Sequence, residues 1–339
     1  MTFKTPILLI TFNRPNHTRR ILAEILKQEP QELYVCQDGA RAESDNDRIK
    51  CQEVKDVINE LTSAYAVAHP DFSLFTLYSS LNLGCGSGPA TGISWFFSNV
   101  EQGIVMEDDC LPHPDFFGYC EQLLERYEDD ERIMYISSTL YMDKWHCDGS
   151  YGFSHYMMTG AWASWSRAWQ GFDLDLHNID PRALCKKCKK LLWSRSEYDW
   201  WYFKVKEIQE DTAKKSYWDY QMQIHLFDYE GIVIHPAVNL ITNIGFDAEG
   251  THTKSNYDGR GNMQSYPILP LTHPKEMKID KKLDYECFAQ VRSEGVLRDL
   301  FQSLYFAMLF SNGVMFKLLK WYKRVFRHQT KINRHIYGA

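Results

Sequence analysis

Nowhere does the 339-residue chain come near the ~20 consecutive apolar residues that a membrane-spanning helix needs. Its opening, Met1-Thr-Phe-Lys-Thr-Pro, enters an apolar segment at once and has no signal-peptide architecture. Paired cysteines are lacking too. The nine are scattered and odd in number, which excludes a short secreted disulfide framework and favours reduced thiols. Cys185-Lys-Lys-Cys188 has no second CxxC, so two residues of a basic helix are expected there rather than zinc ligands. Positive charge is short overall. A net charge of −6 argues against general nucleic-acid binding. Acid, in turn, is missing from the end: Leu300 to Ala339 holds seven Lys/Arg and no Asp or Glu. No internal repeat or low-complexity segment is visible. These absences leave a cytoplasmic globular protein as the expectation.

What is present suits a large core. Apolar residues make up 44% and charged residues 24%, ordinary for a globular chain. Aromatic content is 14%, which fits a carbohydrate-handling cleft or simply a large core. Pro6 to Phe12 is a continuous apolar run and reads as a central parallel strand. Asn16 or Thr18 then caps a helix with Ile21, Leu22, Ile25 and Leu26 on one face. Leu33 to Cys36 is a second strand, followed by a polar helix over 44–66 and a third strand over Phe72 to Ser79. The glycine-rich turn from Asn82 leads to a helix around 89–99, and Gly103 to Met106 is a fourth strand. Strands alternating with helices at this spacing predict βαβ units and a mostly parallel sheet. The second half is less regular. It holds a helix over Asp115 to Tyr127, a strand over Ile133 to Ser137, a charged helical stretch over Arg182 to Glu210, a helix opening at Ser216 and a strand from Gly231. Asn239 to Asn262 has no period and suits a lid, a binding loop or a disordered segment.

The chemistry concentrates in Gly103-Ile-Val-Met-Glu-Asp-Asp-Cys-Leu-Pro-His-Pro-Asp-Phe-Phe117, where a buried strand runs straight into Glu107, Asp108 and Asp109. Adjacent carboxylates repel one another, and desolvating them is costly without a compensating cation or hydrogen bonds. A hard divalent metal holding phosphate oxygens is the usual compensation, and a solvated acidic turn is the plain alternative. In open α/β sheets ligands bind at the carboxyl ends of strands. Thr11, Asn13 and Arg14, then Asp38, Asn82 and the acid triplet, each lie at or just after a strand end, which points to one shared cleft.

With these residues placed, the chain resembles a nucleotide-sugar glycosyltransferase of the GT-A fold, of the N-acetylglucosaminyltransferase I type. The resemblance covers about residues 5–265. It rests on Val105-Met-Glu-Asp-Asp-Cys-Leu-Pro-His-Pro-Asp-Phe-Phe117, on Val35-Cys-Gln-Asp-Gly39, on Ser216-Tyr-Trp-Asp-Tyr220, and on Ile241-Thr-Asn-Ile-Gly-Phe running to Gly250-Thr-His-Thr. Trp218-Asp219 departs from that pattern in standing before Tyr-Gln. The membrane anchor and stem of the eukaryotic enzymes have no counterpart here, which suggests a bacterial relative.

The resemblance implies an α/β, Rossmann-like, mixed but mostly parallel sheet flanked by helices, and the tail's own pattern adds a C-terminal helical extension. The expected organisation is a transferase domain over 1–295, with a nucleotide-binding half over 1–112 and a sugar and acceptor half over 113–295, then a basic tail over 296–339. It implies a metal-dependent transfer from a nucleoside diphosphate sugar, a UDP-sugar foremost, to a glycan or lipid-linked hydroxyl. One carboxylate acting as base makes it an inverting single displacement, and a double displacement would need a nucleophile on the other face of the sugar. Asp109 would hold Mn²⁺ or Mg²⁺, Asp108 the ribose and Glu107 the sugar hydroxyls. Asp38 is a candidate acceptor for the uracil N–H or an ordinary Asp-Gly turn residue, and Arg14 a candidate for base or phosphate. Asp219 is the candidate general base, or a carboxylate facing its helix dipole. His252 would be a further metal or diphosphate ligand, or a solvent-exposed loop histidine. Trp162 would stack on a sugar, or belong to the core. The tail mixes apolar and basic residues, and reads as a surface for an anionic membrane at its inner face or as a docked helix. Two other functions stay open: a sugar-phosphate nucleotidyltransferase, disfavoured because Thr11-Phe-Asn-Arg-Pro-Asn16 lacks glycine, and a non-catalytic nucleotide-sugar-binding protein.

Overall fold

The computed structural model describes residues 3–140, 145–192, 194–210, 217–246 and 263–292. The chain divides into two units, Met1–Gln290 and Val291–Ala339, and nearly all of the second lies outside the described residues. The tail over 296–339 is outside them altogether.

The Pro6–Phe12 run forms β1 (Ile7–Thr11), buried throughout. Successive side chains point to opposite faces of a strand. Ile7 and Leu9 accordingly enter one apolar cluster, while Leu8 and Ile10 enter another. β1 is therefore covered on both sides, as expected of a central parallel strand. Next come α1 (Pro15–Leu26), β2 (Glu32–Gln37), α2 (Asp45–Ala68), β3 (Ser73–Tyr78), α3 (Gly84–Phe97) and β4 (Gln102–Glu107). Residues of α1 and α2 join the first cluster, and residues of α3 join the second. After β4 come β5 (Cys110–Pro112), α4 (Asp115–Arg126), β6 (Ile133–Ser137), β7 (Tyr151–Ser154), β8 (Trp162–Trp165) and α5 (Ser166–Trp169). The described part ends with α6 (Pro181–Leu191), α7 (Arg195–Glu210), α8 (Asp219–Asp228), β9 (Ile232–Pro236), β10 (Ile241–Asn243) and α9 (Lys281–Arg292).

Eight strands form one sheet in the order β3-β2-β1-β4-β8-β6-β9-β7. β3, β2, β1 and β4 are mutually parallel, as are β6 and β9; β8 and β7 run antiparallel to their neighbours. This is the α/β, Rossmann-like, mostly parallel sheet flanked by helices that was expected. Register decides where the site falls. Ile10 pairs with Glu107 and Thr11 with Gln37, so β1, β2 and β4 end flush on one edge.

Several local expectations need correction. Neither Asn16 nor Thr18 caps α1. The helix begins at Pro15, whose fixed φ suits a first helical position, and Thr18 Oγ1 donates back to Arg14 O at 2.9 Å. α3 starts at Gly84, not near 89, so its glycines lie inside the helix. They permit close packing on β2: a Cβ on Gly92 would sit 2.7 Å from Cys36 Sγ. The stretch over 182–210 is two helices, α6 and α7. β5 and β10, too short to announce themselves, pair antiparallel as a separate ribbon. None of the described helices is long and apolar enough to cross a membrane.

Candidate active site

The flush strand ends bring the loops after β1, β2 and β4 together, and each loop is tied down differently. After β1, Phe12 N donates to Asp108 Oδ2 at 3.3 Å, linking the first loop to the acid turn. Thr11 is buried and its Oγ1 donates to Cys36 O. Asn13 Nδ2 donates to Asp47 Oδ1 at 2.8 Å. The Arg41 guanidinium, bonded to the same Asp47 carboxyl, holds that carboxyl well below the usual range, at about 2. Thr11 and Asn13 thus shape the first loop with their side chains and do not offer them to a ligand.

Asp38 is a second correction. Its Oδ1 accepts from Gly39 N at 2.9 Å and Leu83 N at 2.8 Å, and its Oδ2 from Asn82 Nδ2 at 3.0 Å and Gly84 N at 2.9 Å. A carboxylate has about four lone-pair positions, and these donors use them. Asp38 and Asn82 therefore form a clasp between the end of β2 and the start of α3. The clasp leaves no place for a uracil N–H on Asp38.

Trp162 is a third. It is fully buried, stacked on Tyr135 with centroids 4.7 Å apart and on Trp218 at 5.9 Å. A ring so enclosed cannot stack on a sugar. Truncating such a residue costs about 3–5 kcal/mol through lost contacts and the cavity left behind.

The acids stand apart from these satisfied groups. Asp108 is buried and accepts from Phe12 N and, at 3.4 Å, from Arg14 Nη1. The same Nη1 donates to Asp109 Oδ2 at 2.8 Å. Glu107 closes β4, and its carboxylate makes no hydrogen bond or ion pair among the described residues. Burial pushes its pKa well above the usual carboxylate range. The charges of Asp109, Asp108 and Asp219 push the same way, and Arg14 opposes them. Burial likewise raises Asp108, with Arg14 opposing.

Asp219 opens α8, and its Oδ1 accepts from Tyr220 N at 2.9 Å. Burial raises its pKa, while its own backbone contacts and the charge of Lys204 hold it down. The effect of Asp219 on Glu107 puts α8 beside the acid turn. The Cys85 thiol, raised chiefly by partial burial, feels the charges of Asp38, Asp219 and Glu107 as well, so the ends of β2 and β4 and the starts of α3 and α8 lie near one another. His252 lies outside the described residues.

Oxygen-only donors of this kind suit Mg²⁺ or Mn²⁺. The three acids nevertheless do not converge as a cage. Among the described residues, the one group of three acidic, His or Cys ligand atoms within 4.8 Å of each other is Asp173, Asp175 and His177. There Asp173 accepts from Asp175 N and His177 N, as a turn does. The acid turn can instead offer one or two carboxylates, which fits the way Mg²⁺ is usually held beside substrate phosphates.

Three contributors were not among the site residues named from the sequence. Gly245 packs directly on Asp109: a Cβ there would lie 3.0 Å from Asp109 Cβ and Cγ, and closer still to Oδ2. Ile244 N also donates to Asp109 O at 2.8 Å. The ribbon of β5 and β10 delivers that strap, across 135 residues of sequence. Lys204, over the Tyr220 ring at 4.3 Å, and Cys85 also come near these acids only through the fold.

No protein-family model matches the chain, and no curated protein does. Among solved structures, residues 1–349 of S. aureus TarS match with TM-score 0.39 and 9% identity, over 73% of this chain and 61% of that one. Mouse xyloside xylosyltransferase 1 matches with TM-score 0.33 and 10% identity, over 67% of this chain and 82% of that one. HddC from Yersinia pseudotuberculosis, complexed with GMP-PN, matches with TM-score 0.28 and 10% identity, over 48% and 77%. All three likenesses are remote, and the site residues are placed by the chain's own geometry.

Proposed function

We propose that the chain is an inverting, metal-dependent glycosyltransferase. It would move a sugar from a nucleoside diphosphate sugar, a UDP-sugar foremost, to a hydroxyl of a glycan or lipid-linked acceptor. One observation carries this reading: Glu107, Asp108 and Asp109 crowd the end of a buried parallel strand, with Arg14 paired to the two aspartates and with Asp219 acting across on Glu107. Groups so placed raise the energy of the empty site and lower it when a cation and hydroxyls arrive.

Asp109, alone or with Asp108, would hold Mn²⁺ or Mg²⁺. Such an ion neutralises charge developing on a leaving diphosphate. Glu107, with its carboxylate unpaired among the described residues, suits sugar hydroxyls. Asp219, its pKa raised by burial, suits a general base. The acceptor oxygen attacks the anomeric carbon, its proton passes to the Asp219 carboxylate, and the sugar–phosphate bond breaks with its electron pair leaving on the diphosphate. A single displacement of this kind inverts the anomeric carbon. The strap at Ile244 and Gly245, bound to Asp109, leads into residues 247–262, where His252 is a proposed further ligand of the diphosphate. Contact of the basic tail with an anionic membrane surface is likewise a proposal.

The test is a thermal-shift screen of nucleoside diphosphate sugars with and without Mn²⁺, run on the wild type and on Asp109→Asn. Binding raises the midpoint by mass action. A Mn²⁺-dependent shift lost in Asp109→Asn is expected. A shift that ignores both the metal and the substitution would reject the site.

A further inference from the structure

Arg14 holds an unusual position for a residue that is to serve a ligand. Its Nη1 lies 2.8 Å from Asp109 Oδ2 and 3.4 Å from Asp108 Oδ1, and the side chains involved are only 14%, 16% and 9% exposed. A guanidinium does not lose its charge in a protein, so this compensation ends only if the side chain moves. A divalent cation on Asp109 would compete with Arg14 for the same carboxylate, and would repel Arg14 across a few ångströms of protein. The acid pair carries one more negative charge than Arg14 cancels. A divalent ion overshoots that balance, and an incoming diphosphate restores it. The guanidinium fork matches phosphate oxygens better than any other side chain does.

We propose that Arg14 is the resident counter-cation of Asp108 and Asp109, displaced by the divalent ion and transferred to the diphosphate. This rests on the site reading above and adds an order to it. The nucleotide-free protein binds metal weakly because its own cation competes, and metal and nucleotide enter together because each offers a partner to what the other displaces. Arg14 is then a positioning residue whose removal has opposite effects on the two ligands. Loss of a merely structural residue would weaken both.

The experiment uses the full chain and measures binding, not turnover. Free Mn²⁺ is followed by its paramagnetic resonance signal without nucleotide, and UDP by calorimetry at saturating Mn²⁺. Wild type, Arg14→Gln, Arg14→Lys and Asp109→Asn are compared, with unfolding midpoints as the check on folding. Arg14→Gln should bind Mn²⁺ about tenfold tighter, as removal of a nearby like charge implies. It should bind UDP about tenfold more weakly, having lost a charge-assisted contact. Arg14→Lys keeps the charge without the fork, and should show smaller changes of the same two signs; it carries the test if the Gln variant does not fold. Mn²⁺ binding that Asp109→Asn abolishes but Arg14→Gln leaves equal or weaker overturns this inference and leaves the metal site standing. Tighter Mn²⁺ binding with unaltered UDP affinity overturns the transfer to the diphosphate. Absence of Mn²⁺ binding in every variant overturns the inference and the metal reading together.

Discussion

Two regions of the molecule bury polar side chains, and they do it in opposite ways. Under β7 and β9, Asp284 Oδ1 accepts from Ser154 Oγ at 2.6 Å and His155 N at 2.8 Å. Glu197 accepts from Tyr156 Oη and, at 3.2 Å, from Ser194 N, while Trp201 Nε1 donates to Tyr156 Oη at 3.0 Å. Gln223 bonds Met157 N and His155 O, and His235 Nε2 lies 2.7 Å from Tyr156 O. At the strand ends, among the described residues, Asp108 and Asp109 share Arg14 as paired cation with very few donors, and Glu107 has neither. Burial is common to both regions and the number of donors is the difference, although Asp284 Oδ2 and His235 Nδ1 are left without a partner among the described residues even in the first. Where the fold furnishes donors, buried polarity holds elements together; where it withholds them, the groups remain available to a ligand.

The largest expected effect tests the second half of that contrast. Asp219→Asn keeps the shape of α8 but removes the proton acceptor, so transfer should fall about a thousandfold with donor binding retained. Unchanged turnover in a donor-hydrolysis-corrected assay would remove Asp219 from the chemistry.

The next two test the better-supplied region. Asp284→Ala strands the Ser154 hydroxyl and the His155 amide in the interior and should cost about 3 kcal/mol in urea unfolding. A cost below about 0.5 kcal/mol would show that this network contributes no more than an average surface position does. His235 tests the same region by pH. Its burial lowers its pKa from 6.5 to about 4, with its contact to Tyr156 O working the other way. The unfolded chain then takes up the proton first, so stability is full above pH 6.5 and is lost as pH falls through 4. The loss from this one group is of order 3 kcal/mol, and His235→Gln should flatten that slope. A variant that keeps the wild-type slope between pH 6.5 and 4 would reject the assignment.

How much of this could be read in the sequence differs between the two regions for a physical reason. β1 and β4 announce themselves because a strand covered on both faces is apolar at every position, and the acids are conspicuous because they follow such a run directly. Asp219 is visible as a carboxylate opening a helix. Partnership is what stays hidden. Asp38 is clasped by Leu83 and Gly84, and Arg14 meets acids 94 and 95 residues away, none of it encoded locally. Trp162 shows the limit from the other side: an aromatic-rich stretch has the same composition whether it lines a cleft or fills a core, and only Tyr135 and Trp218 closing on it decide. β7, with four residues in Tyr-Gly-Phe-Ser, is a strand only because β9 is there to pair with it.

The smallest effect is the sharpest, because its sign is at stake. Glu107→Gln removes a charge that burial and its acidic neighbours disfavour, and substitutes a group of the same shape. The pKa of Glu107 lies above its ordinary value in the folded protein, so its contribution is most favourable at low pH and is lost as pH rises through the folded value. The Gln variant should therefore match wild type near pH 5 and exceed it by about 1 kcal/mol near pH 8, allowing for solvent screening at a partly exposed site. Donor affinity should fall in the same variant, since a neutral amide accepts sugar hydroxyls less strongly than a carboxylate does. Stability gained where binding is lost is the signature of a group kept unsatisfied for a ligand. A variant less stable than wild type at pH 8 would mean that Glu107 is held by the fold as Asp284 is, and the contrast between the two regions would collapse.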